Sequence, residues 1–436
     1  MKKVITYGTY DMLHYGHIRL LERAKALGDY LIVGVTADDF DRRRGKINTQ
    51  QSLSERIEGV KSLGIADKII VEEYEGQKID DIRRYGADVF TVGSDWVGKF
   101  DYLNEYCEVV YLPRTVGVSS SDIRTENFGL RLGVVGKFRS TDKFIGECAY
   151  VDGVQVVAIY AEDEQKLRRF RRHEGVKLTC RLDELLGLCD AVYIDNRDSS
   201  HDELIRRALN AGKHVLCVAP IATTGEEAAE LFRLADEKGL VLMEAIKTAY
   251  STAYSRLVAI AKSGTVGRIV AVDATCTSLE KSDEDTVANS SLLTWGPVAM
   301  LPIFQLLGTE YTERHVTAFF SDEARQRDYF TRIHFDYPQA TATLTVGLGA
   351  KSEGELIISG TSGYIYVPAP WWKTDYFEVR RENASENRRY YYQLDGEGIR
   401  YEIAGFQNAV KNRGGHPGIE RSISCAIART VGALDS

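Results

Sequence analysis

Two histidines near the start of the chain, His14 and His17, follow a glycine-bearing turn at Gly8. The apolar residues 4–7 precede this turn, and a helix-like pattern follows it. A strand, a turn and a helix in this order aim backbone N–H groups and two imidazoles at one spot. Helix N-termini carry free donors and partial positive charge, so the segment predicts a polyphosphate site. Histidines three apart share a helix face, so metal ligation and ordinary buried polar roles remain alternatives.

Two later segments carry the cations and donors that such a site needs. A basic run that holds Arg44 and Lys46 follows a predicted strand at residues 30–36. Arg114 ends another apolar run and precedes the serines at 119–121. The guanidinium fork suits phosphate oxygens, which favours anion binding here. Serines at a helix start are by themselves more typical of N-caps, and this reading stays open.

Residues 1–126 resemble the glycerol-3-phosphate cytidylyltransferase family. The resemblance rests on four motifs, which read Gly8-Thr9-Tyr10-Asp11, His14-Tyr15-Gly16-His17, Gly93-Ser94-Asp95-Trp96 with Gly98-Lys99-Phe100-Asp101, and Arg114 to Ser121. It implies that a phosphate oxygen of a polyol phosphate attacks the α-phosphorus of CTP and that pyrophosphate leaves. Because this nucleophile is already anionic, the site must supply alignment and positive charge rather than a general base.

The resemblance also implies roles for individual residues. His14, His17 and Arg114 are expected to be catalytic. CTP is expected to contact Thr9, Tyr10, Tyr15, Gly16, Lys46, Gly93, Asp95, Thr115, Gly117, Ser119, Ser120 and Ser121. The acceptor is expected to meet Asp11, Arg44 and Lys78, with helix-entry capping an equal alternative for Asp11. Arg44 replaces the family's usual lysine, and Lys78 follows a one-residue gap. Mg²⁺ is expected only with the CTP phosphates, with no other metal site.

The composition favours an intracellular enzyme of several domains. The chain has 436 residues, 44% hydrophobic residues and a net charge of -8, which argues against nucleic-acid partners. Seven cysteines occur without a Cys-x-x-Cys pair, and we find no signal peptide and no apolar run of membrane-spanning length. These features predict a cytoplasmic protein with reduced thiols and no membrane span. The arginines at 168–172 predict a solvated helix face.

Beyond residue 129 the chain alternates strands and helices. Strands are predicted at 130–136, 154–161, 191–195, 214–218 and 241–244, and helices at 202–211 and 224–238. This alternation predicts a doubly wound parallel sheet. From about residue 264, segments of alternating polarity predict a large, mostly antiparallel sheet. We therefore predict an α/β chain with a Rossmann-like cytidylyltransferase domain at 1–128, a Rossmann-like dinucleotide-binding-type domain at 129–250, and an oxidoreductase-type α+β domain at 251–436.

Residues 130–436 resemble the glucose-fructose oxidoreductase and inositol dehydrogenase family. The resemblance rests on residues 211–222 and on Met243-Glu244-Ala245, with support from residues 198–201 and 264–267. Ala219 stands in place of the lysine in that family's Glu-Lys-Pro signature. The family's acidic and histidine positions are occupied here by Thr294, Val298 and Leu301, and Phe138 replaces a fingerprint glycine. Proton transfer then lacks a carrier, and Phe138 crowds the pyrophosphate.

We therefore expect a degenerate oxidoreductase domain, with at most weak NAD(P) binding, that dimerises or binds a regulatory ligand. Lys247, at the end of a predicted strand, is the alternative replacement for the missing lysine. The whole chain is expected to be a homodimeric cytidylyltransferase acting on glycerol 3-phosphate or a related polyol phosphate, with a CDP-polyol product for teichoic acid or capsule. The alternative is a bifunctional enzyme that reduces a keto-sugar phosphate with NAD(P)H and cytidylates the product. The intact motifs argue against a pure scaffold.

Overall fold

The computed structural model describes the chain except residues 12, 14, 38–50, 75, 114–128, 137–138, 197–199, 280–289, 322–326, 393, 413–417 and 433–436. Several predicted site residues lie outside the described residues, namely His14, Arg44, Lys46, Arg114, Thr115, Gly117, Ser119, Ser120 and Ser121, and so does Phe138. The chain divides into two compact units, residues 1–129 with 151–153 and residues 130–150 with 154–436. A further division of the second unit near residue 250 stays a prediction.

The first unit is a five-stranded parallel sheet with the order β3-β2-β1-β4-β5. Its strands are β1 (Lys3–Gly8), β2 (Tyr30–Thr36), β3 (Lys68–Glu72), β4 (Val89–Gly93) and β5 (Glu108–Leu112). Its helices are α1 (Tyr15–Lys25), α2 (Leu53–Ser62) and α3 (Gln77–Tyr85). Val4 and Ile5 lie in different hydrophobic clusters because successive strand residues face opposite sides of the sheet. Cores on both faces explain the continuous apolar runs of these strands.

The start of α2 is fixed by a capping box. Ser52 Oγ accepts the Glu55 N–H at 3.4 Å, and Glu55 Oε2 accepts the Ser52 N–H at 2.7 Å. These two bonds satisfy backbone donors that a helix start leaves unpaired. Residues Leu53, Ile57 and Val60 then pack into the core of the first unit. The capping box thus fixes where α2 begins, and its apolar residues determine the buried face.

The second unit begins with a six-stranded parallel sheet of order β11-β10-β9-β6-β7-β8. Its strands are β6 (Leu130–Gly136), β7 (Val154–Tyr160), β8 (Lys177–Thr179), β9 (Ala191–Asp195), β10 (His214–Val218) and β11 (Leu242–Ala245). The helices are α4 (Arg139–Cys148), α5 (Glu164–Leu167), α6 (Leu182–Leu188), α7 (His201–Asn210) and α8 (Gly225–Glu237). The predicted strands are confirmed, whereas β8 is too short to give a sequence pattern. Arg168–Arg172 is a 3-10 turn with exposed arginines around buried Phe170.

An eight-stranded sheet follows, with the order β13-β14-β15-β12-β16-β17-β18-β19. It comprises β12 (Ile269–Ser278), β13 (Glu313–Phe320), β14 (Asp328–Tyr337), β15 (Ala340–Leu348), β16 (Leu356–Gly360), β17 (Gly363–Val367), β18 (Tyr376–Arg380) and β19 (Arg388–Tyr391). The pairing is antiparallel except between β12 and β15, as the alternating polarity predicted.

Four helices complete the second unit, namely α9 (Thr252–Lys262), α10 (Ser291–Leu307), α11 (Ile399–Lys411) and α12 (Arg421–Gly432). Helix α10 packs on the large sheet, where Leu292 and Met300 join Val272 and Leu344 in one buried cluster. Within the described ranges, no helix combines the length and apolar character that crossing a membrane requires.

Candidate functional site

The order of the first sheet reverses direction between β1 and β4. The register places Thr6 beside Thr91, so these two strands end side by side. Residues 9–11 continue from β1, and a 3-10 turn, Ser94–Trp96, continues from β4. In open parallel sheets, ligands bind at the carboxyl ends of the strands, at such a switch point. The structure thus brings together two predicted CTP-binding motifs that lie about eighty residues apart in the chain.

Tyr10 has an unusual backbone conformation in the turn that follows β1. Its φ of 53° lies in the left-handed region, which is unusual for a non-glycine residue. Its buried ring covers Gly8, where a Cβ atom would lie 2.9 Å from the ring, so glycine is required there. The ring also contacts His17 edge-on, with 5.6 Å between ring centroids. Burial raises the pKa of the Tyr10 hydroxyl well above its ordinary value. The Tyr10 side chain thus packs against His17. The CTP contact that is predicted for Tyr10 is one of its backbone.

Asp11 and Arg56 connect this turn to neighbouring segments through hydrogen bonds. The Asp11 carboxylate is buried and accepts the Gln51 N–H at 3.0 Å. The buried Arg56 guanidinium donates from Nη1 to the carbonyl oxygens of Thr9, at 2.7 Å, and Thr36, at 2.9 Å. Arg56 therefore joins the ends of β1 and β2. Sequence reasoning missed this residue, although an arginine within the apolar stripe of an amphipathic helix was the available signal.

The first turn of α1 holds the predicted CTP contacts Tyr15 and Gly16 and the predicted catalytic residue His17. Tyr15 is exposed, and Gly16 and His17 are half-buried. The N-terminal end of a helix carries a partial positive charge. At Gly93, at the end of β4, a Cβ atom would meet no heavy atom within 4 Å, so space is open there. The backbone of Asp95 lies in the following 3-10 turn.

Lys78 lies in a buried cluster at the ends of β2 and β3. Its ammonium group forms an ion pair with Glu72, which also accepts the Thr36 hydroxyl at 2.9 Å. The ammonium lies 4.7 Å from the ring centroid of Tyr7 and 5.5 Å from that of Phe100. Holding the acceptor phosphate would require Lys78 to exchange Glu72 for a phosphate. The predicted substrate role of Lys78 therefore stays a prediction.

The first turn of α4 contacts a carboxylate of the same unit. Ser140 and Thr141, in the first turn of α4, both donate to the Asp195 carboxylate at 2.7 Å. The Asp195 carboxylate thus lies beside the first turn of α4, where its negative charge would disfavour a phosphate. A Cβ atom at Gly136 would lie 2.4 Å from the Thr141 hydroxyl oxygen, so the space above Gly136 is filled.

Ala219, Val298 and Leu301, which the sequence predicts to replace catalytic groups, have apolar side chains. Ala219 precedes Pro220 at the end of β10 through a cis peptide bond. Val298 and Leu301 lie on α10, where Leu301 is fully buried. Lys247, the predicted alternative, opens the 3-10 turn after β11, and its Nζ atom lies 3.2 Å from Glu397.

Comparisons with known proteins agree with the two-unit division. Residues 5–126 match the Cytidylyltransferase-like family, and residues 130–246 match the family described as Oxidoreductase family, NAD-binding Rossmann fold. Glycerol-3-phosphate cytidylyltransferase from Bacillus subtilis is 50% identical over 130 residues, which are 30% of this chain and 100% of that protein. The homologous enzyme of Staphylococcus aureus is 47% identical over 129 residues, 30% of this chain and 97% of that protein.

The second unit has the fold of a ketoreductase. A 3-ketoreductase from Actinomadura kijaniata, crystallised with NADP and TDP-benzene, superimposes with a TM-score of 0.62. The match covers 70% of this chain and 96% of that one at 22% sequence identity, which shows the fold alone. The chain is therefore a nucleotidyltransferase fused to an oxidoreductase-type domain.

Proposed function

Because the chain belongs to the glycerol-3-phosphate cytidylyltransferase family through its N-terminal segment, we propose that it converts CTP and a small polyol phosphate into a CDP-polyol and pyrophosphate. One observation carries this proposal. The Thr9–Tyr10–Asp11 turn, the first turn of α1 and the Gly93 end of β4 meet at the topological switch point of a parallel sheet. Backbone donors and open space at this point suit a nucleotide triphosphate.

In the proposed reaction, an acceptor phosphate oxygen attacks the α-phosphorus of CTP. The bond from this phosphorus to the oxygen bridging the α- and β-phosphates breaks, and pyrophosphate leaves with the electron pair. The chain's task is to align the reactants and to offset the negative charge that builds up. His17 lies in the first turn of α1, where the Tyr10 ring contacts it edge-on. We assign it to stabilising the negative charge that builds up on the phosphates.

Other proposed contributors come from the sequence motifs. We assign His14, Lys46 and Arg114 to the CTP phosphates, and residues 115–121 to CTP binding. Arg44 and Lys78 are assigned to the acceptor phosphate, and Asp11 to the acceptor or to the turn itself. Mg²⁺ is proposed to enter with CTP, with few protein ligands.

We propose glycerol 3-phosphate as the first acceptor to test, because the relatives named above carry it in their names. The chain is proposed to act in the cytoplasm as a homodimer, since closed two-fold pairs are the commonest oligomers. Its CDP-polyol would suit surface polymers such as teichoic acid or capsule.

The test is CTP-dependent pyrophosphate release across an acceptor panel. The panel holds glycerol 3-phosphate, glycerol 2-phosphate and polyol phosphates of four and five carbons, each assayed with Mg²⁺. We expect one acceptor to give a kcat/KM well above the others, and no release with ATP in place of CTP. Absence of CTP-dependent release with every acceptor, from folded protein, would overturn the proposal. Light scattering at micromolar concentration tests the dimer.

A further inference from the structure

Three lysines of the second unit converge on the carboxylate of Glu397. The Nζ atoms of Lys373, Lys247 and Lys143 lie 2.8, 3.2 and 3.4 Å from its oxygen atoms. The lysines come from three separate elements: Lys143 from α4, Lys247 from the 3-10 turn after β11, and Lys373 from the 3-10 turn Trp371–Lys373. Three ammonium groups against one carboxylate leave a cationic excess. Bringing like charges together from distant segments costs energy unless an anion joins them.

Glu397 reaches the lysines from a strained backbone. Its φ of 54° is in the left-handed region, and the flanking Gly396 and Gly398 have φ values of 55° and 88°. A non-glycine residue adopts this conformation only when its surroundings hold it there, and such strain is common at ligand sites and switch segments. The ion pairs with the lysines stabilise this conformation of Glu397. The same contacts, with the Lys373 hydrogen bond first, lower the pKa of Glu397 to about 2. An anion that displaces the carboxylate would free this segment to relax.

Two acidic groups near the lysines, Glu402 and Glu147, contribute little negative charge to the cluster. Burial, followed by repulsion from Lys373, lowers the pKa of Lys247. Glu402 is fully buried, and burial raises its pKa to about 8, so at neutral pH it is mostly protonated. Glu147 forms its own ion pair with Arg400, at 2.8 Å. A dianion at the position of the Glu397 carboxylate would therefore lower the electrostatic energy of the cluster.

A cleft with a volume of about 430 Å³ opens beside Lys143 and Glu397, whereas Lys247 and Lys373 contact Glu397 without lining the cleft. Lys143, Glu147 and Tyr150 line it from α4 and the residues after it, and Gly396 and Glu397 line it from the strained segment. This volume suits a small phosphorylated molecule. The cleft thus gives room for the rest of a ligand whose charged group takes the position of the Glu397 carboxylate.

We propose that Lys143, Lys247 and Lys373 form a binding site for the phosphate dianion of a small molecule, and that the Glu397 carboxylate takes the place of this dianion when it is absent. The site lies wholly within the second unit and is independent of the proposed cytidylyl transfer. Free phosphate and a phosphate ester share the recognised group, and only the ester would also fill the cleft.

Tryptophan fluorescence of the full chain provides a local readout. The chain has four tryptophans, of which Trp96 belongs to the first unit and Trp295, Trp371 and Trp372 to the second. Trp372 directly precedes Lys373. In a Trp96→Phe background, titration with inorganic phosphate, glycerol 2-phosphate or glycerol therefore reports on the second unit. We expect saturable changes with both phosphates and none with glycerol.

Two kinds of variant decide the outcome. Lys247→Met and Lys373→Met should each weaken phosphate binding on the order of tenfold, the effect of one lost charge-assisted hydrogen bond. Glu397→Gln should tighten binding by a similar factor, a gain that misfolding cannot produce. The matched control Lys166→Met, on α5 and paired with Glu162 at 2.6 Å, should change nothing. Equal affinity for the two phosphates assigns the site to free phosphate, and tighter ester binding assigns it to the ester. No saturable change, or weaker binding by Glu397→Gln, would overturn the proposal.

Discussion

The guanidinium of Arg56 donates a hydrogen bond of 2.7 Å to the backbone carbonyl of Thr9. The same Nη1 atom donates to Thr36 at 2.9 Å, and Nε donates to Gln51 at 3.2 Å. One buried cation thereby fixes the ends of β1 and β2 and the segment that precedes α2. The turn that is proposed to receive CTP depends on a residue that contacts no ligand in the proposed mechanism.

Arg56→Met should therefore weaken both stability and activity. The change leaves buried carbonyl oxygens without their donor, and we expect a loss of about 2–4 kcal/mol in the free energy of unfolding. Activity measured below the unfolding transition should fall because Thr9 and Tyr10 lose their positioning. Urea denaturation and pyrophosphate release measure the two effects. Lys61→Met, an exposed position on the same helix, is the matched control and should stay within about 0.5 kcal/mol of the parent.

His17→Ala should remove activity while the fold survives. His17 is half-buried and contacts the ring of Tyr10, so its loss costs little packing. Losing one group that stabilises transition-state charge typically lowers the rate on the order of 10²- to 10³-fold. We expect this loss in kcat for CTP-dependent pyrophosphate release, with a circular dichroism spectrum like that of the parent. His315→Ala, an exposed histidine on β13, should keep full activity. Near-normal turnover in folded His17→Ala would refute the assigned role.

The Lys78–Glu72 pair should behave as a coupled buried pair. Glu72→Gln leaves the Lys78 ammonium buried without its counter-charge, which typically costs about 3–5 kcal/mol. Adding Lys78→Met to this variant should restore part of that loss, because the uncompensated charge is then gone. Denaturant unfolding of the parent, both single variants and the double variant measures the coupling. Additive losses would show that the pair is not coupled.

Kinetics of Lys78→Met test its predicted second role. If the ammonium also meets the acceptor phosphate, the KM for the polyol phosphate should rise on the order of tenfold, since one charge-assisted hydrogen bond is lost. The KM for CTP should remain close to that of the parent. Arg83→Met, an exposed position on the same helix, serves as the control. Unchanged values for both substrates would leave Lys78 with a purely structural role.

The stability of the second unit should fall as the pH rises. Burial raises the pKa of Glu402 from 4.5 to about 8, so between these values the folded state holds a proton that the unfolded state releases. This contribution is fully present below pH 4.5 and is lost by pH 8, and it amounts to roughly 5 kcal/mol. Glu402→Gln should flatten the dependence. Urea unfolding, followed by tryptophan fluorescence in the Trp96→Phe background, measures it, and exposed Glu237→Gln should retain the parent slope.

Nicotinamide binding distinguishes a degenerate second unit from a bifunctional enzyme. Because the Asp195 carboxylate lies beside the first turn of α4, we expect titration with NADH and NADPH to give only weak, millimolar-range binding and no reduction of keto-sugar phosphates. Asp195→Asn removes the charge but keeps the hydrogen-bonding shape, and it should bind NADPH more tightly than the parent. Micromolar binding by the parent, together with reduction of a keto-sugar phosphate, would favour the bifunctional alternative.

The sequence by itself determined the architecture and the family of the first unit. Continuous apolar strands and helices in alternation predict parallel sheets because both faces of such sheets are buried. Short motifs such as Gly8-Thr9-Tyr10-Asp11 predict local turns because the chemistry and the backbone conformation lie within a few residues. These features depend on neighbours in the chain, which a sequence displays directly.

Only the tertiary structure decided which charges meet. Arg56 reaches Thr9 across 47 residues, and Lys143 reaches Glu397 across 254. The same holds for Asp195, which accepts from Thr141 across 54 residues and fills the start of α4. Sequence patterns show that such groups are charged, but their pairing depends on packing between distant segments. Burial then determines whether a charge is solvated, paired or neutralised, because desolvation is costly only after the fold has removed water.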